Sequence, residues 1–130
     1  MNAASNAKPG RGAFRTGWVL TGLAAFALGA SAIGKFVAPP EYVEQWEGLG
    51  WSSDLLLTVA IIEAACVVLY LVPQTAVVGG VLVAAYMGGA TAASLRIGEP
   101  WFAAPIIGVI AWLGLWFRLP KLREIAPLRL

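Results

Sequence analysis

Four apolar stretches, separated by short polar segments, constrain the fold of this chain more than any other feature of its sequence. They cover residues 17–36, 54–72, 75–95 and 101–117. A helix needs about 20 residues to cross the roughly 30 Å hydrocarbon core of a bilayer. Inside that core every backbone N–H and C=O group must be satisfied within the protein, as a helix does. The pattern therefore predicts an all-α fold, an integral membrane four-helix bundle.

Charged residues are scarce in this sequence. They make up 12% of the 130 residues, whereas 59% are hydrophobic; an average soluble domain has about 25% charged residues. The sequence contains no histidine and one cysteine, Cys66. Haem or copper ligation by histidine, a Ser-His-Asp triad, an internal disulfide and a Cys-x-x-Cys redox pair are therefore excluded. We predict no catalytic residue and no metal site, which favours a protein that is not an enzyme by itself.

The polar segments divide the chain into a membrane domain and two tails. Residues 1–16 are predicted to form a disordered, basic cytoplasmic tail, residues 17–118 the membrane domain, and residues 119–130 a second basic tail. In the first loop, Pro40 suits the first turn of a helix, and the sequence predicts a short interfacial helix over residues 41–47. A substrate lid is the alternative interpretation of this segment.

The distribution of charge predicts the orientation of the bundle. Basic residues precede the first stretch and follow the last, whereas the first loop is acidic. The basic residues are Lys8, Arg11, Arg15, Arg118, Lys121, Arg123 and Arg129, and the acidic ones are Glu41, Glu44 and Glu47. Positive charge is retained on the cytoplasmic side, so both termini are predicted to be cytoplasmic, in the inner (plasma) membrane of the cell. The net charge of +2 comes mainly from the two basic tails and reflects this orientation. We therefore predict no nucleic-acid partner.

The first stretch also has features of a secretory signal peptide. Residues 30–32 form an A-x-A-like cleavage site after an apolar core. Cleavage there would leave three spans. We favour an uncleaved first span, because the apolar run continues to Phe36.

Glu63 lies in the middle of the second apolar stretch. A charged side chain at that depth costs roughly 2.5–3.5 kcal/mol on insertion scales, so Glu63 needs a partner or a proton. The helical rise puts Tyr86 and Trp112 at a similar depth, and puts Lys35 and Arg96 nearer the outer boundary. We therefore expect Tyr86 to be the partner, with a protonated Glu63 as the donor, and expect Lys35 to be too distant.

The candidate ligand or proton-handling residues are Glu63, Tyr86, Trp112 and Cys66. Cys66 lies one turn after Glu63, but a thiol in apolar surroundings is inert, which disfavours a nucleophile. A purely structural role for Glu63, as an interhelical hydrogen-bonding group, is the other interpretation.

Small residues recur every four positions in the third stretch. They are Ala76, Gly80, Ala84, Gly88 and Ala92. Such spacing allows two helices to approach closely. The pattern predicts a contact within the bundle, and a homodimer contact is the alternative.

Several segments, in their order and spacing, carry a resemblance to a known family. They are Ala32-Ile33-Gly34-Lys35-Phe36, Glu63, Pro73-Gln74-Thr75-Ala76, Tyr86-Met87-Gly88-Gly89-Ala90 and Trp112-Leu113-Gly114-Leu115-Trp116-Phe117-Arg118. Together they resemble the DoxX-like family of small four-helix bacterial membrane proteins. The resemblance implies a link to sulfur oxidation at the quinone pool or to membrane complexes that answer oxidative stress.

Three classes of function follow from the residues and the resemblance. The first is an accessory or quinone-associated subunit of a membrane redox or stress-response system, with a membrane-protein partner or a homo-oligomer. The second is a proton-coupled small-molecule carrier, and the third is a structural or chaperone-like membrane partner. A quinone is the only cofactor that these classes admit, because the sequence has no residues that would ligate a metal or another redox cofactor.

Overall fold

The computed structural model describes residues 10–125, and this part of the chain is helical without a β-strand. The helices are α1 (Arg11–Val37), α2 (Pro40–Gly48), α3 (Leu56–Leu71), α4 (Ala76–Arg96), α5 (Ala103–Arg118) and α6 (Pro120–Ile125). A 3-10 turn at Ser53–Leu55 leads into α3. The predicted fold class is confirmed: α1, α3, α4 and α5 form a bundle, and α2 is the short helix in the first loop.

Within residues 10–125, three segments are long and apolar enough to cross a membrane. They are Arg11–Val37, Ser53–Leu71 and Ala76–Arg96, judged by length and composition. Helix α5 is equally apolar but has 16 residues, which corresponds to about 24 Å. Helix α1 has 27 residues and extends over about 40 Å, which exceeds the hydrocarbon thickness.

Helix α1 starts earlier than the sequence predicted. The expected disordered tail over residues 1–16 is wrong for residues 11–16, which are helical; residues 1–9 lie outside the described part of the chain. Nothing between Arg11 and Thr16 breaks a helix, because the nearest proline precedes Gly10. A helix that is longer than the hydrocarbon core can continue into the headgroup region.

The end of α1 is set by a left-handed residue and two prolines. Ala38 has φ 50° and ψ 55°, and its N–H donates to the Gly34 carbonyl at 2.8 Å. Pro39 and Pro40 follow, and Pro40 occupies the first turn of α2, as its fixed φ favours.

The four long helices form a ring in which each contacts two neighbours. Helix α1 packs against α3 and α5, and α4 packs against the same two helices. The turn between α3 and α4 is tied by the Thr75 hydroxyl, which donates to the Leu69 carbonyl at 2.8 Å. Beside this turn, Gly79 lies directly against the backbone of Tyr70, where no larger residue would fit. We call the end of the bundle that carries α2 the α2 end, and the opposite end the terminal end.

The ladder of small residues packs within the bundle over only part of its length. Ala76 and Gly80 are buried, and Gly80 faces the Leu115 side chain of α5. Ala84, Gly88 and Ala92 are exposed, so the expected bundle contact is wrong for these three. Residues four apart are rotated by about 40° beyond a full turn. The ladder therefore winds out of the buried contact to the edge of α4 that faces an open groove beside α5, and the buried face of α4 continues through Val83 and Met87 instead.

The second tail begins as a packed helix. Helix α6 contacts α5, and Leu122 is buried in the core. Residues 126–130 of the predicted tail lie outside the described part of the chain.

Candidate functional site

Glu63 is paired with Lys35 in the interior of the bundle. The Glu63 side chain is 1% exposed and the Lys35 side chain 11%, and Lys35 Nζ lies 2.8 Å from Glu63 Oε2. Lys35 Nζ also donates to Ser31 Oγ at 2.6 Å, and Ser31 Oγ donates to Glu63 Oε2 at 3.4 Å. The expectation that Lys35 is too distant from Glu63 is therefore wrong.

The direction of the side chains explains this correction. In a helix, side chains lean towards the N-terminus. Helices α1 and α3 are antiparallel neighbours, so Lys35 leans from the α2 end into the bundle while Glu63 leans towards the α2 end. The long stem of lysine covers the remaining distance. A depth estimated from the helical rise of the Cα atoms omits both contributions.

The pair also defines the hydrogen-bonding role of Glu63. A carboxylate beside an ammonium group accepts hydrogen bonds and has none to donate. Removing one partner of such a buried pair leaves an uncompensated charge and costs about 3–5 kcal/mol. The cation that the sequence did not place beside Glu63 is thus present, and in the structure Glu63 Oε2 accepts hydrogen bonds from Lys35 and Ser31.

Tyr86 of α4 lies on the other side of Glu63. Its hydroxyl lies close enough to Glu63 and Cys66 to interact electrostatically with both. Cys66 is buried and lies one helical turn from Glu63. Three of the four candidate residues are therefore close together, on two adjacent helices.

Tyr86 also lines a cavity at the α2 end. The cavity has a volume of about 320 Å³ and lies between α3, α4, the last turn of α2 and the segment that follows α2. Its walls include Trp46, Trp51, Val59, Tyr86, Ala90 and Ala93. Aromatic and aliphatic side chains dominate this lining. Tyr86 therefore connects an apolar cavity to the buried ion pair, and we call this space the Tyr86 cavity.

The roof of the Tyr86 cavity is held in place by polar contacts. The rings of Trp46 and Trp51 stack with centroids 6.0 Å apart, and Trp46 Nε1 donates to the Ser52 carbonyl at 2.7 Å. The Arg96 guanidinium donates to the Leu49 carbonyl. Arg96, predicted only as a charge at the outer boundary, thus ties the end of α4 to the roof.

A sequence model of the DoxX-like family matches residues 19–118, most of the chain. The chain belongs to the DoxX-like family. No curated protein and no solved structure matches it. The matched range of this DoxX-like protein contains Lys35, Glu63, Tyr86 and Arg96, so the ion pair and the cavity lie within the family region.

Trp112 of the DoxX-like protein does not join the Glu63 site. It lines a separate groove of about 460 Å³ between α4 and α5, together with Gly88 and Gly108. Helix α5 lies diagonally across the ring from α3, so a similar depth along the bundle does not bring Trp112 next to Glu63. The expected grouping of Trp112 with Tyr86 is therefore wrong.

A second buried charge lies at the terminal end of the DoxX-like protein. Arg118 is 4% exposed, and its guanidinium donates to the Tyr70 carbonyl at 2.7 Å. The guanidinium also lies over the Trp18 ring, 4.5 Å from its centroid. Tyr70 is in the last turn of α3, where a cation is favoured by the helix dipole. In the sequence, Arg118 was interpreted only as one of the basic residues that set the orientation of the bundle. Its burial was missed, because an arginine at the end of a helix gives no sequence signal of burial.

Proposed function

We propose that this DoxX-like protein is a binding subunit of a membrane redox or stress-response system and takes an apolar ligand of the quinone class in the Tyr86 cavity. The observation that carries the proposal is the position of Tyr86. Its side chain lines the apolar cavity, and its hydroxyl lies near the buried Glu63. One polar group at the edge of an apolar cavity is the arrangement that orients a mostly apolar ligand.

The size and lining of the cavity support a ligand of this class. A volume of about 320 Å³ lies within the 300–1,000 Å³ range of small-molecule sites. Trp46, Trp51 and Tyr86 supply aromatic surfaces against which a planar ring can pack. A quinone also needs no ligating histidine or cysteine, which suits a sequence without histidine and with one cysteine.

The ion pair favours a binding subunit over a proton-coupled carrier. A carrier of that kind requires Glu63 to take up and release a proton in every cycle. Lys35, 2.8 Å from Glu63, stabilises one ionisation state and opposes such a cycle. We expect the purified protein in liposomes to support no uptake driven by a pH gradient. Robust uptake would favour the carrier.

We further propose that α1, α3, α4 and α5 each cross the membrane, with both termini in the cytoplasm. The exposed Arg15 and Lys121 lie at the terminal end, whereas Glu41, Glu44 and Glu47 lie on α2 at the other end. This distribution follows the positive-inside bias. Reporter fusions at Met1 and Leu130 test it, and a reporter that is active outside the cytoplasm at either end would contradict it.

Binding is tested with a matched pair of neighbouring residues on α4. Ala93 lines the Tyr86 cavity, whereas Ala92 is exposed and does not line it. The purified protein in lipid nanodiscs is titrated with a benzoquinone that carries a decyl tail, and quenching of tryptophan fluorescence is followed. Saturable quenching is expected for the wild type and for Ala92→Phe. Ala93→Phe fills the cavity and should weaken binding by about tenfold or more, equivalent to about 1.4 kcal/mol.

Two results would overturn the proposal. One is quenching that does not saturate in the wild type, as expected for a quinone dissolved in the lipid. The other is equal affinity of Ala93→Phe and Ala92→Phe, which would place the ligand outside the Tyr86 cavity.

A further inference from the structure

Within residues 10–125, no carboxylate balances the buried charge of Arg118. Arg118 is 4% exposed, and its Nε atom has no hydrogen-bond partner. The guanidinium contacts the Tyr70 carbonyl and the rings of Trp18 and Tyr70. Arginine stays charged in apolar surroundings, where a charge is screened less than it is in water. Arg118 therefore makes the potential positive at the nearby surface, where the exposed Trp18 lies.

Two further cations lie on the face of α1 that carries Trp18. Arg11 and Arg15 are four residues apart and Trp18 follows three residues later, so the three side chains share one side of the helix. All three are exposed. The Phe14 ring packs edge-on against Trp18, with centroids 6.2 Å apart. We call the surface formed by Arg11, Arg15 and Trp18 the α1 basic face.

The length of α1 places this face at the level of the lipid headgroups. The helix has 27 residues and is about 10 Å longer than the hydrocarbon core. The α1 basic face occupies its first eight residues, at the terminal end. Tryptophan collects at the boundary between headgroups and hydrocarbon, so Trp18 marks that boundary and the two arginines lie on its polar side.

We propose that the α1 basic face binds the phosphate group of an anionic phospholipid. Two exposed guanidinium groups can donate paired hydrogen bonds to phosphate oxygens. The buried Arg118 adds positive potential from behind Trp18 and does not contact the lipid.

The apolar neighbours of the arginines favour a lipid over a free anion. A free phosphate would meet the charge of Arg11 and Arg15 alone. The tails of a lipid would also pack against Phe14 and Trp18, which are exposed beside the arginines. The α1 basic face lies at the end of the bundle opposite to the Tyr86 cavity, so this inference does not depend on the proposed function.

The selectivity for an anionic headgroup is measured by native mass spectrometry of the purified protein in detergent. The protein is titrated with dioleoyl phosphatidylglycerol, which has a net negative charge. The comparison lipid is dioleoyl phosphatidylcholine, which has the same tails and a phosphate but no net charge. We expect the phosphatidylglycerol to bind at least about tenfold more tightly, because basic residues at the membrane surface attract anionic lipids.

The position of the site is tested with a matched pair of exposed cations at the terminal end. Arg15→Gln and Lys121→Gln each remove one positive charge, from α1 and from α6. Arg15→Gln should weaken phosphatidylglycerol binding by about fivefold, and Lys121→Gln by less than about twofold. The double variant Arg11→Gln/Arg15→Gln should lose the preference for phosphatidylglycerol. Exposed side chains are replaced in all of these variants, so we expect each of them to fold.

Three results would overturn the proposal. The first is equal affinity of the wild type for the two lipids. The second is equal weakening in Arg15→Gln and Lys121→Gln, which would show attraction to the charge of the whole terminal end. The third is displacement of phosphatidylglycerol by inorganic phosphate but not by chloride at the same ionic strength, which would assign the site to a free anion.

Discussion

Lys35 Nζ lies 2.8 Å from Glu63 Oε2, and this ion pair joins α1 to α3 in the interior of the bundle. Ser31 adds a hydrogen bond to the same carboxylate oxygen. Tyr86 approaches Glu63 from α4, so the pair connects three of the four long helices.

Loss of Lys35 alone should destabilise the protein strongly. Lys35→Met leaves Glu63 as a buried charge without its cation, which costs about 3–5 kcal/mol. Unfolding in mixed detergent micelles measures this effect, and the exposed Lys121 provides a matched control as Lys121→Met. The double variant Lys35→Met/Glu63→Gln should recover part of the loss, because the uncompensated charge is gone. Equal stability of Lys35→Met and Lys121→Met would contradict the pair.

Glu63 should be ionised at neutral pH. The infrared difference spectrum between the wild type and Glu63→Gln isolates this one group, because the other carboxylates cancel. The ammonium group of Lys35 stabilises the charged form, so the spectrum should contain the bands of a carboxylate. The carbonyl band of a protonated carboxylic acid in their place would show that Lys35 does not hold Glu63 in its charged form.

Two glycines of α4 should respond differently to the same substitution. Gly80 lies against Leu115, whereas Gly88 has open space around it. Gly80→Leu overpacks the bundle and should cost about 1–3 kcal/mol, while Gly88→Leu should leave stability nearly unchanged. Thermal unfolding in detergent distinguishes the two. A large loss in Gly88→Leu with little change in Gly80→Leu would indicate that the exposed half of the small-residue ladder is the more important contact.

Arg96 should control the mobility of the cavity roof. Arg96→Gln weakens the contact with the Leu49 carbonyl and removes a charge-assisted hydrogen bond. Amide hydrogen exchange over residues 46–52 should then become faster by about tenfold, as expected for a loss of about 1.4 kcal/mol of local stability. The exposed Arg15, far along the bundle, serves as the control in Arg15→Gln. Unchanged exchange in Arg96→Gln would mean that Trp46 and Trp51 hold the roof without Arg96.

The sequence predicted the helices well and the site only in part. Apolar length and prolines define the bounds of the four long helices to within about two residues, except for the start of α1, which lies six residues earlier than predicted. The relation between Glu63 and Tyr86 was accessible from the helical rise, because both lie deep in neighbouring helices. The Lys35 contact was not, because it depends on the directions of two side chains and on which helices are adjacent.

The cavity could not be predicted at all from local patterns. It exists because the segment after α2 returns over α3 and α4, where Trp46 and Trp51 stack and Arg96 binds Leu49. These contacts join residues that are distant in the sequence and follow no period. The burial of Arg118 has the same origin, because it depends on how α5 meets Trp18 and Tyr70.

Photolabelling with a quinone that carries an azido group and a decyl tail tests the ligand site most directly. After irradiation in nanodiscs, mass spectrometry identifies the labelled residues. The account predicts label on residues 46–51 and 86–94, competed by excess unlabelled quinone and greatly reduced in Ala93→Phe but not in Ala92→Phe. Label concentrated on residues 105–113, which line the groove of Trp112, or label spread over the lipid-facing surface without competition, would contradict it.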